Sequence, residues 1–326
     1  MKFFFVLLLS QSFLLQAQTP ASRNTIDIYV APSAAEIIWE SPKDLLRTFK
    51  SSLKATGKHQ TSFGHGLFVA DCTNLRGETF KMSTSMDGIE ADTFTQYSLL
   101  IKQDGFKFLF KDLAPGRLVS QETNNTFLRG MHRSEATLSG KTEKLYSRFI
   151  RLNVSPEKCS LAQDYFTTFK ESKNLKFGFA QDPFEQYQNK ETNLGAGCTS
   201  FVAGMIKVLG VWDETLDQAF IKHIDISKDW LGDKKYNVKI FNKIKSTEGS
   251  SWATPGQETV SFKLYDPEQM WDFLDSSNSC LFQNPELFAN ECSPQALGWV
   301  RAVNAKPVTT VREGSSLFYG IELDAK

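Results

Sequence analysis

Residues 61–154 are cut into short β-prone runs, and turn-forming pairs separate them. The runs fall at 66–70, 79–82, 93–102, 106–110, 117–120, 126–130 and 145–154. Between them stand Arg76-Gly77, Asp87-Gly88, Asp104-Gly105, Pro115-Gly116, Asn124-Asn125 and Ser139-Gly140. β-Branched and aromatic residues suit a pleated, half-buried surface, while Gly, Asn and Asp accept the backbone that a tight reversal needs. Strands joined this closely pair with their sequence neighbours, so the spacing predicts a mostly antiparallel sheet. Asp104-Gly105 between two such runs is the strongest hairpin signal.

Helical signals flank this region. Residues 24–30 alternate as a short strand, and Ser41-Pro42-Lys43-Asp44 then reads as an N-cap with proline in the first turn. Leu45, Leu46, Phe49 and Leu53 form the apolar stripe of that helix, which Gly57 ends. Ser155-Pro156-Glu157-Lys158 repeats the start signal, followed by Leu161, Tyr165, Phe166 and Phe169, with an end near Lys173. Residues 177–193, interrupted by Pro183, read as a loop. A third helix opens at Cys198, with Phe201, Val202, Met205, Ile206 and Leu209 before Gly210. Further on, 216–221 reads as helix, 238–244 and 260–265 as strands, and Asp266-Pro267-Glu268-Gln269 as the cap of a helix through Leu274. Residues 308–312 and 317–323 read as closing strands. The fold class is therefore α+β.

Residues 1–17 carry one early cation, Lys2, then Phe3 to Leu9 and Phe13-Leu14-Leu15, closing on Gln16-Ala17. That is the pattern of a secretory signal peptide, too short and interrupted to span a bilayer. The expected location is secreted or periplasmic, without stable membrane insertion. The remaining chain is divided at 18–224 and 225–326, the latter a C-terminal extension of α/β character or part of the same domain. Lys plus Arg and Asp plus Glu both number 37, and no basic cluster offers a footprint for nucleic acid.

Five cysteines in an exported chain leave at least one thiol unpaired. Cys280 and Cys292 flank a short Asn- and Pro-containing loop and are expected to pair. Cys72 at a strand end and Cys159 in the first turns of a helix are expected to staple that helix to the sheet. Cys198 is then the odd thiol. It follows Gly195-Ala196-Gly197 at a helix start, where free N–H groups and the helix dipole stabilise a thiolate or an oxyanion. The plainer reading is a small buried residue in close packing. A thiol nucleophile needs a base, and the chain has four histidines, His59, His65, His132 and His223. His65 stands out because it opens an apolar strand between two glycines; His223 is a second candidate. No motif for metal or nucleotide binding is present, and no cofactor or metal is expected.

Gly64-His65-Gly66-Leu67-Phe68-Val69 on a strand, a run of β structure, and then Gly197-Cys198-Thr199-Ser200-Phe201-Val202 opening a helix resemble the circularly permuted papain-like proteins. That superfamily includes cell-wall cysteine peptidases and lecithin:retinol acyltransferase-like enzymes, in which the histidine precedes the cysteine. The resemblance covers about residues 61–210 and implies a permuted papain-like core, an antiparallel sheet packed on the helix that carries Cys198. It implies Cys198 as nucleophile and His65 as base of an exported cysteine hydrolase cleaving an amide bond, with peptide or cell-wall material as substrate. Asn193 corresponds to the upstream side-chain oxyanion donor. The family's third polar residue, which orients the imidazole, falls among Glu78, Thr79 and Lys81, or Gln96 and Gln103. The alternatives are a secreted non-catalytic binding or structural protein with the same fold, and a lipid acyltransferase.

Overall fold

The structure, a computed structural model, describes residues 24–33, 36–55, 64–89, 105–131, 134–138, 141–145, 147–232, 238–282, 288, 290–312 and 316–325. The chain runs through β1 (Thr25–Ala31), α1 (Pro42–Ala55), β2 (His65–Thr73), β3 (Thr79–Thr84), β4 (Met86–Gly88) and β5 (Ala114–Leu118). Next come α2 (Gln121–Met131), β6 (Ser134–Leu138), β7 (Lys141–Leu145), β8 (Arg148–Asn153), α3 (Pro156–Glu171), β9 (Lys176–Phe177), α4 (Pro183–Gln188) and β10 (Gly195–Ala196). The remainder comprises α5 (Cys198–Val208), α6 (Glu214–Phe220), β11 (Ile221–Ser227), α7 (Val238–Lys245), β12 (Thr259–Tyr265), α8 (Pro267–Phe282), α9 (Pro294–Ala302), β13 (Lys306–Arg312) and β14 (Ser316–Asp324).

The largest sheet has the order β13-β14-β8-β1-β2-β3. Every pairing in it is antiparallel except that of β14 with β8. Alternation along each strand splits its side chains between two cores. Ile26, Ile28 and Val30 of β1 with Phe68, Ala70 and Cys72 of β2 pack against α3, α5, α8 and α9. Tyr29, Ala31 and Leu67 face the other way, onto Leu128 of α2, Phe149 and Phe318. A separate core gathers Trp39 and Phe49 with residues of β11 and β12. α5 is buried from Thr199 through Ile206, which explains its apolar character on all sides: it runs through the interior. Tyr165 of α3 crosses it, donating its hydroxyl to the Phe201 carbonyl at 3.0 Å beside Gly204, where a Cβ would have no room.

The mixed α+β class and the antiparallel sheet agree with the sequence pattern, but several elements differ. Residues 106–110 are not a strand but part of a 3₁₀ helix (Gly105–Phe110) that buries Phe106, Phe108 and Leu109 in the second core. Residues 126–130 lie in α2 and 238–244 in α7, so local β propensity is overridden in both. The expected loop at 177–193 holds α4, capped by the Asp182 side chain with Pro183 in its first turn. α8 runs on to Phe282, and α9 and β11 are elements beyond those the sequence pattern predicts. The run at 93–102 lies outside the described residues. The division at 224/225 falls within β11, and β14 joins the central sheet beside β8.

Candidate active site

β2 loses its β3 neighbour before its own first residues. The β2–β3 register ends at Phe68 and Thr84, leaving His65, Gly66 and Leu67 without a β3 partner. The first turn of α5 occupies that gap. The Cys198 thiol donates to the Gly64 carbonyl at 3.9 Å, and the N–H groups of Gly66, Thr199 and Cys198 itself turn toward the sulfur. Both glycines around His65 have a steric reason. A Cβ at Gly66 would stand 2.8 Å from Val202 Cγ2 and 3.2 Å from the Cys198 carbonyl oxygen. Gly64 has φ +70°, and a Cβ there would meet Pro267. The Ser200 hydroxyl accepts the Gly197 N–H at 2.8 Å, and the Thr199 hydroxyl donates to the Tyr265 carbonyl at 2.7 Å, which fixes the turn.

Cys198 remains partly accessible and is the free thiol of the chain. Burial pushes the thiol up to about 11, and Asp87 adds to that, while the three N–H groups pull it part of the way back. His65 is shifted oppositely: burial lowers the imidazole to about 4 against the pull of Asp87. Thiol and imidazole are therefore both neutral at neutral pH. The two side chains also diverge. His65 pairs with Ala31 of β1, whose side chain faces α2, and the imidazole packs edge-on against Phe127 with centroids 4.3 Å apart. No hydrogen bond joins it to Cys198 among the described residues. The sulfur thus touches the backbone on both sides of His65, while the ring lies on the α2 side of the strand.

Asp87 is the residue that sequence reasoning missed. It lies on β4 opposite Arg117 of β5, whose Nε and Nη2 reach its carboxylate at 3.3 and 2.8 Å, and its charge acts on both His65 and Cys198. The positions expected for a third residue are elsewhere. In an antiparallel return the start of β3 lies at the far end of β2, where Glu78 receives the Asn74 amide, Thr79 meets Thr73 and Lys81 pairs with Asp71. Gln96 and Gln103 lie outside the described residues. In sequence Asp87-Gly88 is a turn pair, although the residues that follow β3 are the ones carried back toward His65.

Asn193 is exposed and lines a polar cavity of about 440 Å³ with Asn174, Lys176, Gln181 and Gly195; Cys198 is not on its wall. His223 is exposed on β11 opposite Lys263, and His59 and His132 lie outside the described residues. Cys72 is bonded to Cys159 and Cys280 to Cys292, with Cα separations of 5.7 and 4.7 Å. Among the described residues no helix is long and apolar enough to cross a membrane, and no group of three or more His, Cys, Asp or Glu is placed to hold a metal ion. Residues 1–17 lie outside the described set. Compared with models of known families, with curated proteins and with solved structures, the chain matches none.

Proposed function

We propose that the protein is an exported thiol hydrolase that cleaves an amide bond through an acyl-enzyme on Cys198. The observation that carries this reading is the setting of the one unpaired thiol, at the start of a buried helix with three backbone N–H groups turned toward its sulfur. The order of the parts, with a histidine opening a strand and the cysteine helix packed on that strand later in the chain, supports a permuted papain-like core. Two disulfides fit an oxidising compartment and support export, and with it peptide or cell-wall material as substrate.

Since thiol and imidazole rest neutral, the proton leaves sulfur as the bond to carbon forms, not before. For this the His65 ring turns from Phe127 toward the strand edge and takes the Cys198 proton. Sulfur then attacks the amide carbonyl carbon, and negative charge gathers on the carbonyl oxygen beside the N–H groups of the helix start. The C–N bond breaks as the imidazolium gives its proton to the departing nitrogen. Water, deprotonated by His65, then attacks the thioester carbonyl, releases the acid and restores the thiol. Asp87 acts as a positioning residue whose charge stabilises the imidazolium.

A non-catalytic binding role is favoured by a single observation, the packing of His65 on Phe127 with no hydrogen bond to Cys198. Turnover of p-nitrophenyl acetate separates the two readings. A hydrolase releases many equivalents of nitrophenol and carries a transient acetyl group on Cys198 detectable by mass spectrometry. Cys198→Ala abolishes turnover and His65→Ala lowers it at least about 100-fold. A single stoichiometric acetylation without turnover establishes the non-catalytic role instead, and turnover that survives Cys198→Ala removes Cys198 as the nucleophile.

A further inference from the structure

The second sheet has the order β10-β9-β5-β4. Its registers set Asp87 opposite Arg117, Pro115 opposite Lys176, and Lys176 beside Gly195. Pro115 and Arg117 are two residues apart and share a face. One surface therefore carries, from β4 to β10, Asp87, Arg117, Lys176 and the Gln181 side chain that lies over Gly195. Two cavities of about 530 and 440 Å³ lie here, side by side at Asn174 and Lys176, which line both, and the two are treated together as a groove beside β9.

The groove walls hold four cations, Arg117, Lys170, Lys173 and Lys176, and one carboxylate, Asp112. Asp112 accepts the Gln181 amide at 2.8 Å, Arg117 is held by Asp87, and the Lys170 ammonium lies over the Phe166 ring. Lys173 and Lys176 have no carboxylate partner among the described residues. The hydroxyl oxygen of Ser172, also on the wall, is buried without a hydrogen-bond partner. The chain as a whole has no net charge, so this excess of cations is a local feature. Amide and hydroxyl groups between them suit a hydrogen-bonding polar chain and do not suit a lipid acyl tail.

We infer that this groove binds an acidic peptide, with carboxylates on Lys173 and Lys176 and polar backbone on Ser172 and Asn174. The inference rests on the hydrolase reading in one respect: Gly195 ends the groove three residues before Cys198, so a peptide lying in it is led toward the thiol. The groove then holds the part of the substrate that does not react and sets the choice of substrate.

Calorimetric titration of the full chain carrying Cys198→Ala, with triglutamate and triglutamine as probes, tests this. Triglutamate binds at least about tenfold more tightly at low salt, the preference shrinks as salt is added, and Lys173→Ala with Lys176→Ala removes it. Lys176→Glu inverts the preference. Equal binding of the two peptides, a preference that persists in the double variant, or tighter binding of hexathymidylate than of triglutamate overturns the inference. If turnover is present while the preference is absent, the groove assignment fails alone; if the preference is present without turnover, the hydrolase reading fails alone.

Discussion

An imidazole shut away from water is a liability in acid, and His65 is such a group. Its pKa is about 4 in the folded chain against the ordinary 6.5, chiefly through burial. Between those values the unfolded chain binds a proton that the folded chain refuses, so stability rises with pH across this window. The contribution is fully present above pH 6.5 and is lost as pH falls toward 4, to a limit of about 3 kcal/mol. His65→Leu keeps an apolar contact for Phe127 and removes the titration. Urea unfolding at a series of pH values is expected to show the parent losing stability relative to this variant between pH 6.5 and 4. Glu268 and Asp272, whose carboxyls are raised by burial, act in the opposite direction but equally in both proteins. A difference that does not change with pH would mean that the ring is hydrated. The Gly64-His65-Gly66 motif was legible because each glycine answers a local steric demand. Asp87 was not, because its role depends on where β3 ends relative to His65, and no local pattern states that.

At the scale of elements, strand β2 is held at both ends by sulfur, covalently at Cys72 and by the contact of Cys198 with Gly64. The Cys72–Cys159 bond spans 87 residues and the Cys280–Cys292 bond 12. In the chain-entropy account a longer closed loop restricts the unfolded chain more, which favours the first bond by about 1–2 kcal/mol. Replacing each pair by serine and measuring urea unfolding is expected to give losses in that order. An equal or reversed order would assign the stability to local packing around the sulfurs. Both pairings were legible from position in the pattern, as were the helices that begin Ser-Pro, since Ser155 caps α3 by accepting the Lys158 N–H. The 3₁₀ segment at Gly105–Phe110 and helix α7 were not, because Phe-, Ile- and Val-rich stretches read as strand until tertiary packing decides otherwise.

The whole molecule is closed by its C-terminal third, a role that sequence position alone did not reveal. β14 lies between β13 and β8 in the central sheet, and α8 packs on that sheet with Met270, Trp271 and Leu274 in the main core. One ion pair marks the closure. Arg148, at the start of β8, donates from Nε to Asp275 of α8 at 2.6 Å, with both side chains almost wholly buried. The other Asp275 oxygen accepts the Asn290 N–H at 2.8 Å, and the guanidinium lies over the Trp271 and Phe288 rings. Removing one member of such a pair strands a buried charge, so Asp275→Ala is expected to cost about 3–5 kcal/mol in urea unfolding. The exposed Asp87–Arg117 pair provides the contrast, and Arg117→Ala is expected to cost under about 1 kcal/mol. Arg148→Met combined with Asp275→Leu should recover much of the loss, because it replaces charge by packing and strands no buried charge, leaving only the half-buried Asn290 N–H without its acceptor. If Asp275→Ala costs no more than Arg117→Ala, water reaches Arg148, and the C-terminal third is held by apolar packing and the β14–β8 pairing without help from the ion pair.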